Sequence, residues 1–147
     1  MDKNAWMASV ERDAAERAHD KRVRRERAQT LKTRAAKAFR RGDYSGALSC
    51  YNKALEQIKD DPTVYCDRAL TNVKLKDYQK VFPDCETALR LNEKSYKARI
   101  YKAKAHKELE EIDKYEESRK ELEEIFPQHK ELTDYFLNKK EESEEEN

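Results

Sequence analysis

The sequence repeats itself with a period of 34 residues, and this spacing constrains the fold more than any other feature of the chain. Ala35, Ala69 and Ala103 are separated by 34 positions each, and so are Tyr44 and Tyr78. Such a period is typical of proteins built from stacked supersecondary units, because each unit needs a neighbour to cover its apolar face. We therefore divide this part of the chain into three consecutive units, residues 28–61, 62–95 and 96–129.

Each unit is predicted to form two helices. In the first unit Leu31, Ala35 and Phe39 recur at the spacing of one helix face, and Gly42 supplies a residue suited to the left-handed conformation at which helices end. A second apolar stripe follows Gly42, so the unit is a helical hairpin. The alanines that recur every 34 residues allow the two helices of a hairpin to approach closely. In the second unit Pro83 falls inside the second helix, where we expect a kink or a late helix start.

The segment before the repeats, residues 1–27, is predicted to be a long charged helix that continues into the first unit. Residues 4–27 contain neither glycine nor proline, and their apolar cluster consists of Trp6, Met7 and Val10. Three interpretations of this cluster stay open. It docks a partner helix, it pairs with a second copy of the chain, or it folds onto the repeats.

The segment after the repeats, residues 130–140, is predicted to be a helix that caps the stack. Leu132, Tyr135 and Phe136 are expected to form its apolar face, opposite Glu131 and Asp134. Residues 141–147 are too acidic to pack and are predicted to be a disordered tail.

The composition argues against several classes of function. Two glycines in 147 residues leave no glycine-rich loop for a phosphate, and no run approaches the roughly 18 apolar residues of a membrane span. Cys50, Cys66 and Cys85 match no zinc, haem or redox spacing, so we expect reduced, packed thiols. No histidine stands in a recognisable nucleophile pattern. We expect a non-enzymatic cytoplasmic protein without metal, cofactor or membrane partner.

The repeats resemble the tetratricopeptide repeat family. The family's order of bulky, small and aromatic residues is matched in the first unit by Leu31, Ala35, Phe39, Tyr44, Ala47, Tyr51 and Ala54. The resemblance implies an all-α, right-handed superhelical stack of three hairpins, with the long N-terminal helix and the capping helix at its ends. In the third unit, Arg99 replaces a usual aromatic residue and Tyr115 a usual alanine, so this hairpin is expected to pack most loosely.

The resemblance also implies a peptide-binding groove lined by the first helix of each unit. The groove residues that it implies are Lys32, Phe39, Arg40, Leu70, Val73, Lys74, Lys97, Ile100, Tyr101, Lys104 and Lys107. Six of these are basic, which suits an extended acidic peptide with apolar anchors. The alternative is a face that is merely solvated.

Several members of the family hold the C-terminal Glu-Glu-Val-Asp of cytosolic chaperones with two lysines, two asparagines and an arginine. Lys32 and Lys97 match the two lysines, whereas Ala36, Asp67 and Tyr101 replace the other three residues. A carboxylate at position 67 repels a ligand carboxylate, and a lost charged donor removes a bond worth about 1.5–3 kcal/mol. The prediction is therefore either weak chaperone binding or a different acidic ligand.

A second resemblance is to a group of cytoplasmic tetratricopeptide repeat proteins that help assemble axonemal dynein arms. It rests on residues 6–18, before the repeats, and on the repeat segments 64–65, 74–78 and 84–89. This resemblance implies a protein-binding adaptor or co-chaperone in dynein arm preassembly, with dynein chains as further partners. A chaperone-linked scaffold unrelated to cilia is the alternative.

Charge is distributed unevenly along the chain, and two further hypotheses rest on it. Residues 1–40 hold 12 basic and 6 acidic side chains, whereas residues 101–147 hold 9 basic and 16 acidic ones. The basic run at residues 21–27 is either a solvated helix face, which we favour, or a nucleic-acid contact. The acidic tail either increases solubility, which we also favour, or folds back onto the basic groove as a competitor.

Overall fold

The three hairpins all end their first helix in the same way. At Gly42, Lys76 and Glu110 the backbone adopts a positive φ, of 80°, 60° and 58° respectively. The amide of each following residue then bonds to a carbonyl five residues back, as from Asp43 to Ala38 at 2.9 Å. This is the Schellman motif, and it recurs every 34 residues. Gly42 confirms the predicted stop, while Lys76 and Glu110 adopt the same conformation despite their side chains.

The computed structural model describes residues 2–140, and seven α-helices account for most of that range. They are α1 (Lys3–Arg40), α2 (Tyr44–Gln57), α3 (Pro62–Lys74), α4 (Val81–Leu91), α5 (Tyr96–Glu108), α6 (Ile112–Ile125) and α7 (Lys130–Asn138). Short 3-10 turns at Tyr78–Lys80 and Pro127–His129 precede α4 and α7. The pairs α1–α2, α3–α4 and α5–α6 form successive hairpins, and each stacks on the next. The all-α superhelical stack is thus confirmed, whereas the predicted acidic tail, residues 141–147, lies outside the described residues.

The recurring alanines lie where the helices come closest. Ala35, Ala69 and Ala103 are completely buried. Around them the core divides into two clusters, one in the first hairpin and a larger one that joins the second and third hairpins to α7. A larger side chain at these positions would force the helices apart, since protein cores are packed without spare volume.

Pro83 delays the second helix of the middle hairpin. The chain first forms the 3-10 turn at Tyr78–Lys80, and α4 begins only at Val81. Pro83 therefore lies in the first turn of α4, where a backbone N–H would have no intrahelical partner to lose. The predicted late helix start is confirmed.

The second helix of the third hairpin buries fewer residues than the second helix of either other hairpin. Leu122 is the one buried residue of α6, all of whose residues are described, whereas α2 and α4 each bury four. Arg99, at a position where the hairpin pattern favours an aromatic ring, forms an ion pair with Glu121 and donates to the Glu93 carbonyl at 2.6 Å. Polar contacts here replace apolar packing, as expected for the most loosely packed unit.

The N-terminal leader, residues 3–27, is the first part of α1 and has no neighbouring helix. At 38 residues, α1 is about 57 Å long, and its residues before Ala28 are almost all exposed. Trp6 is 56% exposed, and Met7 and Val10 are similarly open. Of the three interpretations of this cluster, folding onto the repeats is therefore not what the structure shows.

The packing face of α7 differs from the predicted one. Leu132 and Tyr135 are 55% and 66% exposed, whereas Thr133 and Leu137 are buried. The Thr133 hydroxyl lies 2.6 Å from the Tyr96 hydroxyl, and Phe136 packs against Tyr101. These contacts with α5 fix the rotation of α7, so the prediction was right for Phe136 and wrong for Leu132 and Tyr135.

Candidate functional site

The central part of the candidate site joins the first helices of the three hairpins. Lys32 on α1 and Lys97 on α5 both lie close enough to Asp67 on α3 to lower the pKa of its carboxyl group. Burial has the larger effect, and the pKa of Asp67 is raised overall. Lys32 is also engaged by Asp61, whose carboxylate lies 2.9 Å from the ammonium group. The two lysines of the predicted clamp are therefore brought together around an acidic residue.

Beside Asp67 is an open pocket of about 230 Å³ with an apolar floor. It is lined by Ala36, Phe39, Arg40, Tyr51, Asp67 and Leu70. Tyr51 comes from the second helix of the first hairpin, and burial together with Asp67 raises its pKa to about 12. We call this pocket together with Lys32 and Lys97 the groove. It offers an apolar anchor point with cationic side chains at its edge.

Lys104 and Lys107, which were predicted to line the groove, are engaged by α7 instead. Lys104 is only 1% exposed, and its ammonium group donates to the carbonyls of Leu137 at 3.4 Å and Lys139 at 2.5 Å. Lys107 donates to the Leu137 carbonyl at 2.8 Å. The last carbonyls of a helix have no intrahelical donors and carry a partial negative charge, so two lysines satisfy them well.

Three other predicted groove residues are buried as well. Val73 and Ile100 lie in the core, and Tyr101 is 8% exposed beneath Phe136. Burial, with Asp67 nearby, raises the pKa of the Tyr101 hydroxyl. These residues belong to the core, and the predicted set of lining residues is corrected accordingly.

Of the predicted residues, those that keep an accessible surface are Lys32, Phe39, Arg40, Leu70, Lys74, Lys97 and Lys107. Sequence reasoning missed Tyr51 because it belongs to a second helix. It also missed the ion pair between Asp61 and Lys32, although an aspartate before a proline marks a helix start. In the structure one Asp61 oxygen caps α3 through the Thr63 amide, and the other bonds to Lys32.

Two of the cysteines and one histidine are buried and packed against neighbouring residues. Cys66 and Cys85 are buried, and burial raises the pKa of both thiols, which keeps them protonated. His106 packs on Phe82 and bonds to Glu111 at 3.1 Å. Within residues 2–140 no group of His, Cys, Asp and Glu is placed to hold a metal ion, and no helix there is long and apolar enough to cross a bilayer.

Comparison with known sequences supports the resemblance. A family model described as TPR repeat matches residues 38–76. Tetratricopeptide repeat protein 12 of Mus musculus is 41% identical over 138 residues, which cover 94% of this chain and 20% of that protein. The chain thus spans about one fifth of that relative, and the similarity includes the leader as well as the repeats.

Comparison with solved structures gives the same fold. The Arabidopsis OM64 TPR domain superimposes with a TM-score of 0.71 at 22% identity, covering 78% of this chain and 96% of that one. The first TPR of Spaghetti (RPAP3), bound to the HSP90 peptide SRMEEVD, gives a TM-score of 0.67 at 26% identity. That alignment covers 70% of this chain and 82% of the other.

Proposed function

Because the chain belongs to the tetratricopeptide repeat family, we propose that it is a protein-binding adaptor that holds an extended acidic peptide in its groove. The observation that carries this proposal is that Lys32 and Lys97 both lie near Asp67, which lines an open, largely apolar pocket. Two ammonium groups attract carboxylates, and the pocket accepts one apolar side chain. The groove thus combines the two kinds of contact that an acidic peptide with an apolar anchor requires.

Chaperone C-termini ending in Glu-Glu-Val-Asp are the first ligands to consider, since the Spaghetti domain binds such a peptide. This groove retains two cations but lacks three other groups. Ala36 has no side-chain amide, Asp67 repels carboxylates, and Tyr101 is buried where a cation would be needed. Each missing charged hydrogen bond weakens binding by about 1.5–3 kcal/mol. We therefore propose that this chain binds such tails weakly, or prefers another acidic segment.

The similarity to tetratricopeptide repeat protein 12 supports the finer proposal that the adaptor acts in the cytoplasmic preassembly of axonemal dynein arms, with dynein chains among its partners. A chaperone-linked scaffold unrelated to cilia is the alternative. Expression restricted to ciliated or sperm-forming cells favours the first, and broad expression favours the second. Affinity purification of the intact chain and of Lys97→Glu, read by mass spectrometry, identifies which partners depend on the groove.

A peptide titration tests the groove directly. We expect a fluorescently labelled peptide ending in Glu-Glu-Val-Asp to bind the intact chain weakly, and Lys97→Glu to lower its affinity at least tenfold, or about 1.4 kcal/mol. The matched control is Lys120→Glu, which reverses an exposed charge on α6, outside the groove. Equal affinities for the intact chain and Lys97→Glu would contradict the proposal.

A further inference from the structure

Six of the nine large apolar side chains that are exposed in residues 2–140 lie near the two ends of that range, and the other three are Leu75, Leu91 and Ile112. Trp6, Met7 and Val10 lie on the leader. At the other end Ile125, Leu132 and Tyr135 are 44%, 55% and 66% exposed. We call this second set the end face, since it lies on α6 and α7, the last two helices of the stack. Leu132 and Tyr135 are three residues apart, so both lie on the same side of α7.

The leader and the last two helices of the stack carry opposite net charge. Residues 3–27 hold eight basic and five acidic side chains, and five of the basic ones fall within residues 21–27. Residues 110–140 hold ten acidic and six basic side chains. Glu124 and Glu131 are exposed next to the apolar residues of the end face. An interface between the leader and the end face would therefore pair apolar with apolar residues and basic with acidic ones.

Pairing like with like is less favourable on the same evidence. Two leaders side by side in parallel would place the basic runs at residues 21–27 against each other. Two antiparallel leaders that overlap over their full length would place Trp6, Met7 and Val10 against those runs, whereas a shorter overlap at residues 3–12 would pair the apolar clusters but leave the basic runs without acidic partners. Two end faces would bring together two acidic surfaces. Like charges across an interface are repulsive, so charge favours the leader with the end face.

We propose that copies of this chain associate head to tail, with the leader of one copy lying along the end face of the next. The contact is heterologous, because the two surfaces differ, and it leaves an unused leader and an unused end face on every dimer. Since Trp6, Met7 and Val10 span only about one helical turn and the end face offers only three apolar side chains, the association is weak and depends on charge. It therefore weakens as salt screens the basic run from the acidic helices.

The test uses the full chain and two variants that each disable one surface. Trp6→Ser/Val10→Ser disables the leader, and Leu132→Ser/Tyr135→Ser disables the end face. All four residues are exposed, so both variants are expected to keep the helix content and melting temperature of the parent chain. Sedimentation velocity is measured over a range of protein concentrations at low and at high salt.

We expect the average mass of the parent chain to rise with concentration at low salt and to fall at high salt. Each variant alone should remain monomeric. Mixing them should give a one-to-one heterodimer that grows no further, because the mixture retains one intact leader and one intact end face. A control variant, Leu91→Ser, changes an exposed residue outside both surfaces and should associate like the parent.

Three results would overturn the proposal. The first is that the parent chain remains monomeric at the highest concentration and lowest salt. The second is that either variant alone still associates as the parent does, which would indicate an interface between identical surfaces. The third is that the parent associates but the mixed variants stay monomeric, which would place the contact elsewhere.

Discussion

Replacing Asp67 by asparagine tests the electrostatics of the groove in two independent ways. Burial raises the pKa of this carboxyl group although Lys97 and Lys32 lower it. The charged form is thus less favourable in the folded chain than in the unfolded one. For an acid whose folded pKa is raised, the folded state binds the proton more tightly, so stability falls as pH rises through the interval between the unfolded and the folded pKa. Asp67→Asn removes this loss, and we expect the variant to be more stable than the parent at neutral pH, with the gain disappearing in acid.

The effect on peptide binding is expected to be larger. Asparagine removes a negative charge from the position that a ligand carboxylate approaches, and supplies an amide donor in its place. Two like charges about 4 Å apart repel by about 1 kcal/mol in water and more when partly buried. A hydrogen bond to a charged group contributes about 1.5–3 kcal/mol. Allowing for the reorganisation of Lys32 away from Asp61, we expect a net gain of at least about 1.4 kcal/mol, a tenfold increase in affinity.

The assay is titration of the labelled Glu-Glu-Val-Asp peptide, with the same peptide amidated at its C-terminus as control. The gain should be smaller for the amidated peptide, which lacks one of the two C-terminal charges. Urea unfolding at several pH values measures the stability effect separately. The reasoning is refuted if the variant binds the free-acid peptide no better than the parent does, because Asp67 would then lie outside the binding site.

Two further predictions concern stability. Glu110→Gly should raise the free energy of unfolding by about 0.5–1 kcal/mol, because the left-handed conformation costs a non-glycine residue about 1–2 kcal/mol and the flexibility of glycine in the unfolded chain returns part of this. Gly42→Glu, where nothing lies within 4 Å of an added Cβ, should have the opposite effect in urea unfolding, and equal stability of all three proteins contradicts the argument. Lys104→Met should destabilise the chain by about 2 kcal/mol, since it removes the charged donor at the end of α7. Lys120→Met, at an exposed position of α6, should change thermal unfolding little, and a loss from Lys104→Met no larger than that of this control would contradict the argument.

The fold was largely predictable because the features that specify it are local. Ala35, Ala69 and Ala103 mark the close approaches, and Gly42 and Pro83 mark a helix end and a delayed helix start. Each acts through a few neighbouring residues, so its effect is visible in the sequence. The left-handed turns at Lys76 and Glu110 are visible only through the period, since neither residue favours that conformation.

The groove was less predictable because its lining depends on how α7 docks. An apolar pattern over nine residues fits more than one helix rotation, and the bond between Thr133 and Tyr96 selects the one that exposes Leu132 and Tyr135. That docking brings the end of α7 to Lys104 and Lys107. Position along α5 predicts that these lysines face the groove. Their contacts at the end of α7 come from residues 30 to 35 positions away.

The charge that the groove offers a ligand is smaller than its count of cations implies. Lys104 and Lys107 donate hydrogen bonds to carbonyls at the end of α7, and Lys32 forms an ion pair with Asp61. Arg40 and Lys97 are exposed; Arg40 lines the pocket together with Asp67, and Lys97 lies near the same carboxylate. A purely acidic ligand must compete with these internal partners for every further ion pair. Burying one large aliphatic side chain in the neighbouring pocket contributes about 1.5–3 kcal/mol, as much as a charged hydrogen bond, without such competition. The apolar residue of the ligand should therefore decide which acidic segment this groove selects.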